Sequence, residues 1–216
     1  MAGKPLDPPT VSTFPSDLVK QLRKAGSDDL LLIFFATHGY KQQSGEFYLF
    51  PCDTGGSDEI DPLLPNAISS SELSDWPRDI VAGDTVLLLD VCNSGAIAGK
   101  NFQPAPLGGH GQGQLSYEKG MRVLAATQDD NDAAASGLRK HGLLTWALIQ
   151  KGINEKDAVN EFTHRSISIE HWLEYARSEV PELFLSEIPQ GKRKVQRPLL
   201  LDFSQSKDQR FIALFQ

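Results

Sequence analysis

Two unbroken apolar runs interrupt an otherwise mixed pattern of hydrophobic and polar positions along the chain. The first covers residues 30–36 and the second residues 86–89. A continuous apolar run bounded by turn residues is typical of a strand buried on both faces of a parallel sheet. A third segment, 121–126, is also largely apolar. These runs predict central strands of a sheet.

Segments with helical period or a helix cap lie between and after these runs. They are 18–25, 69–76, 143–148 and 168–181, where Ser168 predicts the start of the last helix and Pro181 predicts its end. Residues 46–50 predict a short strand, and segments 198–202 and 210–215 together predict a last strand. Strands that alternate with helices predict an α/β fold, a three-layer αβα sandwich with a mostly parallel sheet.

Chemically active side chains follow the two longest apolar runs. The first run leads into His38 and Gly39, and the second leads into Asp90 and Cys92. In open α/β sheets the carboxyl ends of the strands form the edge where ligands bind. A Cys and a His at this edge are suited to act as a thiol nucleophile and its base.

This arrangement resembles the caspase-like cysteine peptidases (peptidase C14-like, caspase-hemoglobinase fold). The resemblance rests on a strand ending in His38-Gly39, followed by a strand ending in Asp-x-Cys-x-Ser-Gly at 90–95. The two residues are 54 positions apart (92 minus 38), and the caspase histidine lies about 50 residues before the cysteine. The pattern is closer to metacaspases and bacterial caspase homologues than to animal caspases.

The resemblance implies a cysteine endopeptidase with polypeptide substrates and no cofactor. His38 and Cys92 would form the catalytic dyad, and the backbone N–H groups of Gly39 and Cys92 would form the oxyanion hole. Asp90 matches the metacaspase aspartate that selects Arg or Lys before the scissile bond. The alternative interpretation of Asp90 is a carboxylate that caps the following turn.

The resemblance extends from residue 18 to residue 215, but the family's usual N-terminal strand-helix-strand has no counterpart. We therefore expect a tail or linker over residues 1–12 and a peptidase domain, incomplete at its N-terminus, over 13–216. Without the family's first strand, residues 30–36 would form an open sheet edge. Two explanations are open: the chain is a fragment of a longer polypeptide, so that an upstream or partner segment completes the sheet, or another segment of the chain fills the gap.

Composition narrows the class of protein further. The chain has 216 residues, 40% of them hydrophobic, which suits one α/β domain, and its net charge of −7 argues against a nucleic-acid partner. No apolar run approaches the ~20 residues that span a bilayer, so we expect a soluble, cytoplasmic protein. No residues have metal-ligand spacing, and residues 93–117 contain no Asp or Glu, so neither a catalytic metal nor calcium activation is expected. The second cysteine, Cys52, is expected to be a buried small side chain.

Two other functions remain possible at this stage. A catalytically silent caspase-like domain could serve as an interaction scaffold, although the chain retains both His38 and Cys92. A doubly wound nucleotide-binding module would share the fold class, but no Gly-x-Gly-x-x-Gly follows a predicted strand. Self-processing is also possible, because Lys100, Lys119 and Arg122 offer basic sites in or near the glycine-rich segment after Cys92.

Overall fold

The structure is a computed structural model. It describes residues 20–42, 46–57, 59–75, 80–92, 120–126, 141–159, 165–188, 195–204 and 209–215. The predicted tail, the glycine-rich segment and Lys100 and Lys119 lie outside the described residues.

The two longest apolar runs form the two central strands, as their pattern predicts. Strand β1 spans Leu30–Lys41 and strand β4 spans Asp84–Cys92. They pair in parallel along the whole of β4, and the pairing ends with His38 opposite Cys92. Consecutive side chains of a strand point to opposite faces, so the in-register positions alternate between the two layers that cover the sheet.

The sheet has six strands in the order β3-β2-β1-β4-β5-β7. The strands not yet given are β2 Phe47–Phe50, β3 Ile68–Ser69, β5 Arg122–Ala125 and β7 Leu199–Asp202. The three central strands β1, β4 and β5 are parallel, and β2, β3 and β7 are antiparallel to their neighbours. The expected mostly parallel sheet is therefore a mixed sheet with a parallel centre.

Helices cover one face of the sheet, and a shorter helix contributes to the other. The described helices are residues 20–22, a 3₁₀ turn Leu64–Asn66, α1 Ser70–Asp75, α2 Leu143–Thr145, a π-helix Trp146–Asn154 and α3 Ile169–Glu187. One apolar core joins β4 and β5 to α2, the π-helix and α3, and a second joins the opposite face to α1 through Leu73. These two cores confirm the three-layer α/β sandwich.

Hydroxyl and carboxylate caps fix two helix starts that the sequence predicts. At α1, Ser69 Oγ accepts the Glu72 N–H at 3.1 Å while Glu72 accepts the Ser69 N–H at 2.9 Å, a reciprocal capping box. At α3, Ser168 Oγ accepts the N–H of His171 at 3.3 Å. Local sequence is sufficient here because each cap lies within three residues of its partner.

Two predictions of the chain's last third were wrong. Helix α3 runs through Pro181 to Glu187 and does not end at the proline. The two terminal segments are separate strands: β7 joins the main sheet, and β8, Phe211–Leu214, pairs with β6, Ser166–Ser168, in a second sheet of two strands.

A charged cluster lies at the end of the sheet where β4 and β5 begin. Arg122 is 4% exposed, and its guanidinium contacts the buried Asp84. It also contacts Glu170 at 2.8 Å and Asp202 at 3.0 Å. One side chain thus joins β5 to β4, α3 and β7. Burial and these bonds make Arg122 an unsuitable site for self-processing in the folded protein.

Candidate active site

Positions 38 and 92 are directly opposite each other on neighbouring parallel strands. Neighbouring strands lie about 4.8 Å apart, so the backbones of His38 and Cys92 are adjacent. By strand alternation, positions 38, 90 and 92 belong to the face covered by α2 and α3, since Leu32 and Val86, at positions of the same parity on each strand, pack into that core. The sequence therefore predicted correctly which residues share this end of the sheet.

The strands end differently from the prediction. His38 and Gly39 were expected at the end of their strand, yet β1 continues to Lys41 because β2 pairs with its last four residues. Cys92 was expected just past its strand and is instead the last residue of β4. The hairpin between β1 and β2 therefore supports the backbone around His38.

The imidazole of His38 is partly buried. Its Nδ1 atom is inaccessible to solvent and has no hydrogen-bond partner among the described residues. Buried polar atoms nearly always have a partner, and an unpaired one at a suspected site points to function. Within the described residues, no carboxylate orients this ring, so the site has at most a dyad there.

Gly39 is buried and lies against strand β4. A Cβ atom at this position would overlap the side chain of Val91. Close packing between the strands therefore requires glycine here, whether or not its N–H contributes to an oxyanion hole. This packing requirement was not evident from the sequence, because it depends on the pairing of β1 with β4.

Asp90 is 2% exposed, and helix α2 donates hydrogen bonds to its carboxylate. Its Oδ2 accepts the backbone N–H of Thr145 at 3.0 Å and also accepts the Thr145 hydroxyl. Gly142, the residue before α2, has no side-chain oxygen to cap the helix. Asp90 thus caps α2 from a different element. The turn after Cys92, which Asp90 would cap in the alternative interpretation, lies outside the described residues.

The second carboxylate oxygen of Asp90 is in a different situation. Oδ1 is buried and has no hydrogen-bond partner among the described residues. Burial raises the pKa of Asp90 above its ordinary value of 3.8, while the bonds from Thr145 and the charge of His141 act in the opposite direction. An unpaired oxygen on a buried carboxylate is free to accept a hydrogen bond from a ligand.

Sequence reasoning missed the residues that surround this carboxylate. Thr145 is 55 positions from Asp90, and a Cβ at Gly142 would overlap the Asp90 carboxylate. Both residues lie in a helical segment that resembles the family, but local pattern carries no signal of contact across that separation. Only the packing of α2 on β4 identifies them.

An open groove of 710 Å³ lies beside β1, on the side away from β4. Its lining includes Phe34, Ala36 and His38 from β1, together with Cys52 and Thr54 from the loop after β2. Cys52 is a free, exposed thiol, so the expectation of a buried side chain was wrong. Cys52 lies in a turn that follows β2, which ends at Phe50.

Within the described ranges, no three side chains of His, Cys, Asp or Glu gather in a way that could hold a metal ion. None of the described helices is both long and apolar enough to cross a bilayer.

Comparison with protein-family models gives a match over most of the chain. The family model for the caspase domain, Peptidase C14, matches residues 11–207. The chain belongs to the caspase-domain family. The match covers both strands of the site, so the protein is a member of a family of cysteine peptidases.

Structural comparison supports the fold independently. The caspase-domain chain resembles the crystal structure of protein GSU0716 from Geobacter sulfurreducens, with a TM-score of 0.54 and 11% sequence identity. The likeness covers 90% of this chain and 74% of that chain. At this identity it shows the fold alone. A search of the curated proteins found no match.

Proposed function

We propose that this caspase-domain protein is a cysteine endopeptidase that cleaves polypeptides after Arg or Lys. The observation that carries the proposal is the in-register pairing of His38 with Cys92 at neighbouring strand positions. Adjacent backbones at positions 38 and 92 support the proposal, because nucleophilic catalysis requires that base and nucleophile come within reach of each other.

In the proposed reaction, His38 takes the proton of the Cys92 thiol, and the thiolate attacks the carbonyl carbon of the scissile bond. The tetrahedral oxyanion accepts hydrogen bonds from the N–H groups of Gly39 and Cys92, worth about 3 kcal/mol each in acyl transfer. Collapse expels the amine, which receives the proton from His38, and leaves a thioester on Cys92. Water, deprotonated by His38, then hydrolyses the thioester and restores the thiol.

Asp90 supports the proposed preference for basic residues. Its position is two residues before Cys92 on the same face of β4, and its Oδ1 lacks a partner in the described part of the chain. A carboxylate about 4 Å from a guanidinium gains on the order of 4 kcal/mol at an effective dielectric of 20, before desolvation costs. An acidic substrate side chain would be repelled by a comparable amount.

The test is turnover of fluorogenic peptides that end in Arg, Lys, Asp or Leu. We expect turnover of the Arg and Lys peptides only, and its complete loss in Cys92→Ala and in His38→Ala. Cys52→Ala is the matched control, because Cys52 is an exposed free thiol that the proposed reaction does not use. Equal loss in Cys52→Ala, or activity retained in Cys92→Ala, would reject the dyad.

Covalent labelling adds a second readout to the same test. A peptidyl chloromethyl ketone ending in Arg should modify Cys92 and leave Cys52 unmodified, as determined by mass spectrometry of the digested protein. A folded protein that neither turns over any of the peptides nor reacts at Cys92 would favour the interaction scaffold.

A further inference from the structure

The two oxygens of the buried Asp90 carboxylate differ in the hydrogen bonds that they accept from the described residues. Thr145 supplies both hydrogen bonds to Oδ2, one from its backbone N–H at 3.0 Å and one from its hydroxyl. Oδ1 receives none from the described residues. A buried polar atom without a partner costs about 1–3 kcal/mol, so this asymmetry needs an explanation.

We propose that Thr145 is a positioning residue of the specificity pocket, which holds Oδ2 of Asp90 so that Oδ1 remains the acceptor for a substrate guanidinium or ammonium group. This inference rests on the proposed function and deepens it, because it assigns a second residue to the selection of basic substrates. The nitrogen atoms of an Arg or Lys side chain supply the donors that Oδ1 lacks.

Packing around the carboxylate supports a fixed orientation. Gly142 lies so close that a Cβ there would overlap the carboxylate, and Thr145 is bonded from the same helical segment. A partial rotation of the carboxyl group would break both bonds to Thr145, and a half-turn would restore the same arrangement, because the two oxygens of a carboxylate are equivalent. The helix therefore fixes Oδ2, and Oδ1 keeps a single position as a result.

Capping alone does not require the Thr145 hydroxyl. A cap needs one acceptor for the backbone N–H, and any residue at position 145 provides that N–H. The hydroxyl adds a second bond that stabilises the ionised carboxylate, which is the form that binds a basic side chain. The hydroxyl is thus the part of Thr145 that distinguishes positioning from capping.

The experiment compares Thr145→Val, which removes the hydroxyl at similar volume, with Thr145→Ser, which retains it. Substrates are two peptides that differ only in arginine or its neutral isostere citrulline before the scissile bond. We expect Thr145→Val to lower kcat/KM for the arginine peptide about tenfold, since a hydrogen bond to a charged group is lost. The citrulline peptide should change much less, and Thr145→Ser should stay within about threefold of wild type on both peptides.

The pH at which kcat/KM falls on acidification, the acidic limb of the pH profile, provides a second readout. A general loss of packing would not shift this pH. Among the described residues, the charge of His141, just before α2, acts on Asp90, and His38 lies on the neighbouring strand β1; both histidines are retained in both variants. The charged side chains Asp84 and Glu170 lie at the opposite end of the sheet, where Arg122 binds them. Thr145→Val should move the limb for the arginine peptide to higher pH, because the ionised form of Asp90 loses a donor. Thr145→Ser should not move it.

The outcomes separate this inference from the proposed function. Wild-type protein that cleaves neither peptide refutes the proposed function and the inference with it. Suppose that the wild type is active. If Thr145→Val then lowers kcat/KM equally for both peptides, or behaves like Thr145→Ser, the inference alone is refuted. Should Thr145→Val fail to fold, Thr145→Ala takes its place, and an unmoved acidic limb in that variant overturns the proposal.

Discussion

The two oxygens of the Asp90 carboxylate are in different situations, and the predicted pocket role concerns the one that Thr145 does not bind. The Oδ2 atom caps helix α2 through Thr145, and the buried Oδ1 is unpaired among the described residues. Capping explains why an aspartate is tolerated at a position that is 2% exposed. It does not explain the unpaired oxygen, for which the proposed binding of a basic substrate side chain would supply a donor.

Replacing Asp90 by Asn should reduce turnover of Arg and Lys peptides by most of its value and should not create activity on Asp peptides. Asn keeps the size and can still accept the Thr145 hydrogen bonds, but it lacks the charge that attracts a basic side chain. The measurement is kcat/KM for each peptide in both proteins. Unchanged cleavage after Arg in Asp90→Asn would remove Asp90 from the pocket and leave the dyad unaffected.

The raised pKa of Asp90 predicts a pH dependence of both activity and stability. Burial raises this pKa above 3.8. Activity on basic peptides should therefore begin to fall, on acidification, at a pH above the ordinary Asp range, because the carboxyl becomes protonated earlier. The folded state binds this proton more tightly than the unfolded state, so ionisation costs stability as pH rises from 3.8 to the folded pKa.

Denaturant titrations across this pH range would check the sign. The free energy of unfolding of Asp90→Asn, relative to that of wild type, should increase as pH rises from 3.8 to the folded pKa of Asp90 and should then stay constant. A gain in the opposite direction would show that the fold stabilises the ionised carboxylate.

At the residue scale, strand periodicity and parallel pairing were sufficient to predict that positions 38, 90 and 92 lie at one end of the sheet. Their catalytic and binding roles stay predictions. Each position follows an apolar run, and the chemistry at the end of such a run can be read from a few neighbouring residues. Thr145 could not be found in this way. Its contact with Asp90 depends on how a helix packs across a separation of 55 positions.

At the element scale, predictions succeeded where the determining contacts are local. The caps at Ser69 and Ser168 are examples. The end of α3 was mispredicted because a proline inside a helix costs about 3 kcal/mol, which burial of one or two large apolar side chains can offset. Leu183 and Phe184, beyond Pro181, are 7% and 5% exposed and pack into the core.

The Arg122 cluster gives a prediction at this scale, because it joins four elements. Arg122→Met should destabilise the protein by about 3–5 kcal/mol, since it leaves Asp84 buried without its cationic partner. Arg177→Met is the matched control: Arg177 pairs with Glu174 at 2.7 Å on the exposed face of α3, and such pairs contribute about 0–1 kcal/mol.

Chemical denaturation measures both losses. The cluster lies where β4 begins, and the proposed site lies where β4 ends, so the folded fraction of Arg122→Met should keep its kcat/KM for basic peptides. A loss below 1 kcal/mol in Arg122→Met, equal to that in the control, would show that the cluster contributes no more than a surface ion pair.

At the scale of the whole molecule, the sequence predicted the three-layer fold because its apolar runs and helical periods are strong signals. It overestimated the parallel share of the sheet. Strand direction at the sheet's margins depends on which segments return to pair. Strand β7 pairs with β5 across 74 to 80 positions of sequence, from Ala125 with Leu199 to Arg122 with Asp202.

One sheet edge remains to be accounted for. Within the described residues, β2 pairs only with the last four residues of β1, 38–41. No described strand pairs with residues 30–37 on the side of β1 that faces away from β4. Phe34 is 43% exposed there, and the groove runs beside it. An apolar strand edge of this kind favours pairing with another strand. We therefore expect a segment of this polypeptide or of a partner to add to β1 at this edge.

If that segment comes from outside the 216 residues, the chain alone should self-associate through β1. Phe34→Lys should then reduce association, because a charge on an edge strand disfavours pairing. Leu185→Lys is the matched control, since Leu185 is 46% exposed but lies on α3, away from the edge. Analytical ultracentrifugation of the three proteins over a concentration series would measure the effect. A wild-type chain that is monomeric and unfolds cooperatively would show instead that the edge is completed from within, and equal effects of the two substitutions would mean that association does not involve β1.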